Sequence, residues 1–261
     1  MYNDDDTIIL KKWCIEWEVP YPFAERLKGT VFPLLEGAHN RIGFNFDRIF
    51  LEQKEGVELR HENSERIMLL LRNKIVPQNF SAEEREVIGL HLEYMTTVEG
   101  FLAPEVNFLI FLIIANGHNF KIAQDKYAKT MRDIEKSNFS KKMEFLGKHG
   151  FRELSKNKDR ILSLRNSAAH LFYKIDKKGG LNVGKNKITR ENYDKLYDYL
   201  RNTAVSLHLI RLLYYRRFES LPTPKYKMTP CKCGYENLVP IGKRPKNGAP
   251  WRCSNCNLIL K

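Results

Sequence analysis

Leu164-Arg165-Asn166-Ser167-Ala168-Ala169-His170 sets an arginine, an amide and an imidazole on one short piece of predicted helix. Arginine is a permanently charged, forked donor suited to phosphate, and histidine moves protons near neutral pH. A helix turns about 100° per residue, so with Arg165 at zero, Asn166 falls near ~100° and His170 near ~140°. Ile161, Leu164, Ala168, Leu171 and Phe172 fall between roughly 240° and 340°. The helix therefore offers an apolar face to its own core and turns the polar trio away from it. Small Ser167 and Ala169 leave room for a second helix or a polynucleotide to approach.

The trio interrupts an otherwise apolar stretch, Ile161 to Tyr173, and its amide directly follows the arginine. In that form the segment resembles the signature of the HEPN superfamily (higher eukaryotes and prokaryotes nucleotide-binding), all-α domains of which many are metal-independent ribonucleases. The resemblance covers residues 85 to 218 and rests mainly on these few residues. It implies a HEPN-like helical bundle and an endoribonuclease site of Arg165, Asn166 and His170. It also implies a homodimer, because such sites are commonly shared between two copies. The implied setting is prokaryotic defence: a toxin, abortive-infection or CRISPR-associated protein. Two other readings stand beside it. One is a regulatory module that binds RNA or nucleotide without cutting. The other is an interaction protein whose Arg165 and His170 only staple a dimer.

The chemistry open to such a trio is transesterification of RNA. The attacking 2′-hydroxyl must lose a proton and the leaving 5′-oxygen must gain one, and histidine can serve either step. Arginine would hold the scissile phosphate and stabilise charge on its oxygens. Asparagine would orient histidine or phosphate. No paired carboxylates suggest a two-metal nuclease, and no fingerprint for a nicotinamide cofactor is present.

Charge points to the same class of partner. The 261 residues carry a formal net charge of +13, which suits a polyanion, RNA before a membrane surface. From Leu221 onward eight cations stand against Glu236 alone. Among them Lys225, Lys227, Lys243, Arg244, Lys246 and Arg252, interleaved with Tyr226, Tyr235 and Trp251, are the expected nucleic-acid-binding residues.

Four of the five cysteines lie in the last thirty-one residues, as Cys231-Lys232-Cys233 and Cys253-Ser254-Asn255-Cys256. Two close pairs separated by nineteen residues fit a tetrahedral structural zinc site of the ribbon type. The first pair departs from the usual spacing, with one intervening residue instead of two or more. Zn²⁺ in a site filled by four thiolates has no open position for chemistry. Cys14, beside Trp13 in an apolar stretch, reads as a buried small hydrophobe.

The expected class is mainly α: a helical N-terminal region (1–80), a HEPN-like helical domain (81–220) and a small β zinc ribbon (221–261). Helices are predicted over Thr7–Trp17, Leu34–Leu51, Glu65–Ile75, Ser81 toward Val98, Pro104–Ile114, Lys121–Lys136, Lys141–Lys148 and Arg152–Tyr173. A last, long one runs from a Thr189 cap to Arg217. Lys174 to Lys187 reads as a hairpin or loop. Asn3-Asp4-Asp5-Asp6 lacks the character of a secretory signal, and the longest apolar run, Phe108 to Ala115, falls short of the ~20 residues of a membrane span. The expectation is a cytoplasmic protein with no membrane partner.

Two near-motifs are set aside. Gly179 to Asn186 nearly spells a phosphate loop but has Asn186 where Ser or Thr should bind magnesium. Leu71-Arg72-Asn73 echoes the trio, with Pro77 where a histidine is needed. His39, His61, His91, His118, His149 and His208 have no partner at catalytic spacing and read as surface or core. Glu93, Glu99 and Glu105 are candidates for the cleft that the sequence does not place.

Overall fold

The computed structural model describes residues 4–42, 46, 81–124, 126–169, 174–175, 181–183, 186–219, 226–233, 236–240, 250, 252 and 258–260. Those residues are mostly helical, as a mainly α chain requires. α1 (Asp4–Glu16) and α2 (Tyr21–Ile42) open the chain. α1 ends in a Schellman pair, Val19 N–H to Cys14 O at 2.9 Å and Glu18 N–H to Ile15 O at 3.2 Å. The residue that must turn left-handed there is Glu18 (φ 52°), where glycine would be unstrained. Arg201 repairs the end from another helix: its guanidinium donates to Glu18 O at 3.2 Å and Trp17 O at 3.1 Å. A cation at a helix C-terminus is favourable both as donor and against the helix dipole.

α2 buries Ala24, Lys28, Val31, Phe32, Leu35 and Ala38, an apolar stripe at helical spacing with one lysine in it. It begins well before the predicted Leu34 and runs through Pro33. Gly37 faces Asn116 so closely that any Cβ would collide with the amide, which donates to Leu34 O at 2.8 Å. The predicted helix over Glu65–Ile75 lies outside the described residues.

α3 (Ala82–Thr96), a π-helical segment (Thr97–Leu102) and α4 (Ala103–Ala115) follow without a break. Two helices parted near Pro104 are expected; one rod is found. Pro104 has no N–H and its ring would press on the carbonyl four residues back, so a regular α-helix would kink there. The π turn absorbs the conflict, with Ala103 N–H donating five residues back to Val98 O. Asn116 and Gly117 (φ 97°) then end the helix as predicted, with His118 N–H reaching Ile113 O at 3.3 Å. His91–Ala115 is long and apolar enough to cross a membrane by length and composition, and 67% of its apolar 18-residue stretch is buried inside the protein. Phe108, Leu109, Ile110, Leu112 and Ile113 are all core residues, the fate expected for a run apolar all round.

The predicted helix over Lys121–Lys136 is mostly something else. β1 (Lys121–Ala123) and β2 (Lys126–Tyr127) pair antiparallel, and only Met131–Glu135 is helical, as α5. A capping box decides the start: Thr130 Oγ1 accepts from Asp133 N–H at 3.2 Å while the Asp133 carboxylate accepts from Thr130 N–H at 3.0 Å. α6 (Phe139–Lys148) is capped by Asn138, whose Oδ1 accepts from Ser140 N–H at 2.8 Å. The predicted Arg152–Tyr173 helix is two, α7 (Arg152–Lys156) and α8 (Lys158–Ala169), separated at Asn157. Asn157 folds its amide back to Glu153 O at 3.1 Å, closing α7 before α8 begins.

β3 (Lys174–Ile175), β4 (Leu181–Val183) and β5 (Asn186–Ile188) form an antiparallel sheet in that order, which favours the expected β-hairpin over the loop and adds a third strand. α9 (Arg190–Glu219) starts at Thr189, whose Oγ1 accepts from Asn192 N–H at 3.3 Å. Its buried residues Tyr193, Leu196, Leu200, Ala204, Leu207 and Tyr214 form the inner face against α1, α2 and the π segment. Fully burying a residue of this size contributes roughly 1.5–3 kcal/mol. β6 (Tyr226–Pro230) and β7 (Glu236–Pro240) pair antiparallel near the C-terminus.

Candidate functional site

α8 carries the Arg165-Asn166 pair. Ile161 and Leu164 are fully buried, Arg165 is partly exposed and Asn166 exposed, the orientation predicted from the helical wheel. Tyr94 of α3 locks the helix from beneath, its hydroxyl 3.4 Å from Ile161 O. His170 lies outside the described residues, as do the side chains of Ser167, Ala168 and Ala169.

Arg165 and Asn166 border an open cavity of about 550 Å³. Ala103 and Asn107 of α4, the α5–α6 connection from Glu135 to Ser140, and Lys142 complete its wall with Glu99. Glu99 comes from the π turn and forms an ion pair with Arg165 through the guanidinium Nε. The guanidinium also lies over the Phe139 ring, 5.5 Å from its centroid, a cation–π contact that ties the arginine to α6.

Lys142 is the unforeseen member. It occupies the buried stripe of α6 with Phe139, Met143 and Leu146, and only 4% of it is exposed. Its ammonium donates to Asn107 Oδ1 at 2.7 Å and to Glu135 O at 3.1 Å. Burial pulls its pKa down to about 8; Arg165 adds to the fall, while the Glu135 and Glu99 carboxylates oppose it. A lysine on an otherwise apolar helical stripe was the signal available in the sequence. Asn107, Phe139 and Glu135 carried none.

The cysteine pairs are described in part. Cys231 and Cys233 occupy the turn between β6 and β7, Cys231 buried and Cys233 exposed. Two thiols two positions apart on a hairpin turn can supply half of a thiolate zinc site. Arg252 and Ile259, which flank Cys253 and Cys256 in sequence, pair as an antiparallel bridge. Cys253 and Cys256 themselves lie outside the described residues, so among those described no group of three metal-binding side chains occurs. Of the expected nucleic-acid-binding residues, Lys227 lies on β6 and Arg252 is exposed. Lys225, Lys243, Arg244 and Lys246 lie outside the described residues. Cys14 is buried, with its thiol pKa raised by burial and by Glu25.

Of the remaining described histidines, His91 and His208 are in the core and His118 is exposed. His91 is buried, and burial lowers its pKa to about 4. His208 is buried beside Arg211 and Glu105. His118 and His149, at the ends of α4 and α6, meet edge-on with ring centroids 4.7 Å apart. Of the glutamates left unplaced by sequence, Glu99 lines the cavity, Glu105 is in the core, and Glu93 accepts from Tyr197 at 3.4 Å. The Leu71-Arg72-Asn73 echo and His61 lie outside the described residues.

No family model matches this chain, and no curated protein or solved structure does either.

Proposed function

We propose that this chain is a HEPN-type, metal-independent endoribonuclease that cleaves RNA by attack of the 2′-hydroxyl on the adjacent phosphate. The observation that carries the reading is Arg165 and Asn166 side by side on the rim of an open, charged cavity. An arginine in cation–π contact with Phe139 and reachable from solvent suits a phosphodiester.

In this reading His170, four residues after Asn166 in the sequence, takes the proton from the 2′-hydroxyl or returns one to the leaving 5′-oxygen. A second copy of the motif, in a homodimer, serves the other step. Arg165 holds the phosphate and Asn166 orients it. The P–O5′ bond breaks as the P–O2′ bond forms, leaving a 2′,3′-cyclic phosphate and a 5′-hydroxyl. Cys231, Cys233, Cys253 and Cys256 hold a structural Zn²⁺, and the basic residues from Lys225 to Arg252 hold the RNA strand. The family resemblance suggests a defence setting, inside the cell, with a regulatory protein or RNA that controls cutting.

The Arg165–Glu99 pair favours a second reading, a non-catalytic module that binds phosphate or nucleotide, because an arginine already engaged by a carboxylate is stable without substrate. Product analysis separates the two. The nuclease yields 2′,3′-cyclic phosphate ends from RNA and leaves the 2′-deoxy analogue uncut. A module that only binds yields no new ends from either strand.

A further inference from the structure

Two features of the cavity have no role in the scheme above: the buried ammonium of Lys142 and the carboxylate of Glu99. Arg165 meets Glu99 through Nε, and among the described residues its two terminal nitrogens donate no hydrogen bond. Those nitrogens form the fork that grips phosphate. Lys142 has three N–H groups and, among the described residues, uses two, on Asn107 and Glu135 O, which leaves one to offer from the cavity wall. Arginine and lysine thus converge on one space from α8 and α6.

The charge of the lining makes the same point. Its charged residues are Arg165 and Lys142 against Glu99 and Glu135. The four balance while Glu99 stays, and its departure leaves an excess of positive charge. The Glu99–Arg165 pair is also open to solvent, with 41% and 33% of the two side chains exposed. Exposed ion pairs are weak, and a phosphodiester carries the same single charge and paired oxygens as the carboxylate, so a strand already held elsewhere on the protein can take its place.

We propose that this cavity is a phosphodiester site whose resident anion is Glu99, and that a nucleic-acid phosphate binds Arg165 and Lys142 by displacing the Glu99 carboxylate. This rests on the functional reading above only in taking Arg165 as the phosphate ligand. Glu99 is then a built-in competitor that keeps the site closed to weak anions and yields to a strand held elsewhere on the protein.

The test measures binding of a short 2′-deoxy oligonucleotide to the full chain in buffer without added divalent metal, with inorganic phosphate as competitor. The deoxy strand lacks the attacking hydroxyl, so binding is read without cleavage. Glu99→Gln should tighten binding roughly tenfold and lower the inhibition constant of phosphate by a similar factor. Glu191→Gln, which removes an equal charge from an exposed pair with Lys195, should change affinity less than about twofold. Lys142→Met should weaken binding about fivefold or more, with Lys142→Gln in its place should the methionine variant not fold. Equal affinities for Glu99→Gln and Glu191→Gln would overturn the proposal, as would full binding by a folded Lys142 variant. RNA cleavage is scored separately on the same proteins. Cleavage without the Glu99→Gln effect would discard the displaced anion and keep the nuclease. The effect without cleavage would keep the phosphate site and discard the nuclease.

Discussion

Arg211 Nη2 stands 2.9 Å from Glu105 Oε1 in the interior of the bundle, joining α9 to α4 where each residue is almost wholly buried. His208 Nδ1 lies 3.2 Å from the same Nη2, and the guanidinium sits 5.6 Å from the Phe108 ring centroid. Taking such charges out of water costs several kcal/mol each, so the pair holds only while both members are present. Arg211→Met should therefore destabilise the fold by about 3–5 kcal/mol. Arg211→Met combined with Glu105→Leu should recover much of that loss. Urea denaturation of the two variants checks this; equal stability of Arg211→Met and wild type would contradict it.

Lys142 gives the fold a pH signature. Its folded pKa, about 8, lies below the ordinary lysine value of 10.5, so between those values the unfolded chain binds more protons. Its charged form therefore opposes folding below about pH 8, and that opposition fades as pH rises toward 10.5. A shift of this size corresponds to about 3 kcal/mol. Tyr94, Tyr193 and Tyr199, buried and held neutral, act in the opposite direction above pH 10, so the comparison is made between variants. Relative to wild type, Lys142→Met should lose about 3 kcal/mol of stability between pH 7 and 10.5. Parallel stability curves would show that Lys142 is not buried as a cation.

Much of the helical framework was legible, because an apolar stripe every three or four residues has one physical solution. Ile161 and Leu164 went to the core and Arg165 and Asn166 to the surface, as the wheel required. Thr189 and Gly117 marked their helix ends by chemistry that does not depend on distant contacts. The failures are equally local. Ala123, Tyr127, Met131 and Ile134 recur at helical spacing, but the Thr130–Asp133 box starts a helix where the longer one would have continued. Glu99 could not be placed because a π turn inserts an extra residue into the helical count, and every azimuth beyond it shifts by roughly 100°. Lys142 was hidden by its charge: a count of apolar residues passes over a lysine whose ammonium finds its partners on another helix.

The cysteine-rich end should bind one zinc per chain through Cys231, Cys233, Cys253 and Cys256. Removing residues 222–261 should weaken RNA affinity and flatten its salt dependence, since phosphate contacts act through counterion release. Chemistry on a short substrate at saturation should be unaffected. Zinc-free protein with all four thiols reduced would contradict the metal site. Unchanged RNA affinity would make this end a protein-docking module.

Two copies of the motif are needed if one histidine accepts a proton while another donates one. Wild type mixed with His170→Ala and allowed to exchange subunits should show less activity than wild type alone at equal wild-type concentration. Undiminished activity, or cutting by a chain that sediments as a monomer at micromolar concentration, would contradict the shared site.

Cleavage of labelled RNA in EDTA by purified wild type, Arg165→Ala and His170→Ala bears most directly on the account. Wild type should cut without added metal and leave 2′,3′-cyclic phosphate ends. Each variant should remain folded and lose about 10²–10⁴ in rate, the usual cost of removing one positioned acid–base or charge-stabilising group. Cutting that requires magnesium, or a folded His170→Ala variant that cuts at the wild-type rate, would contradict it.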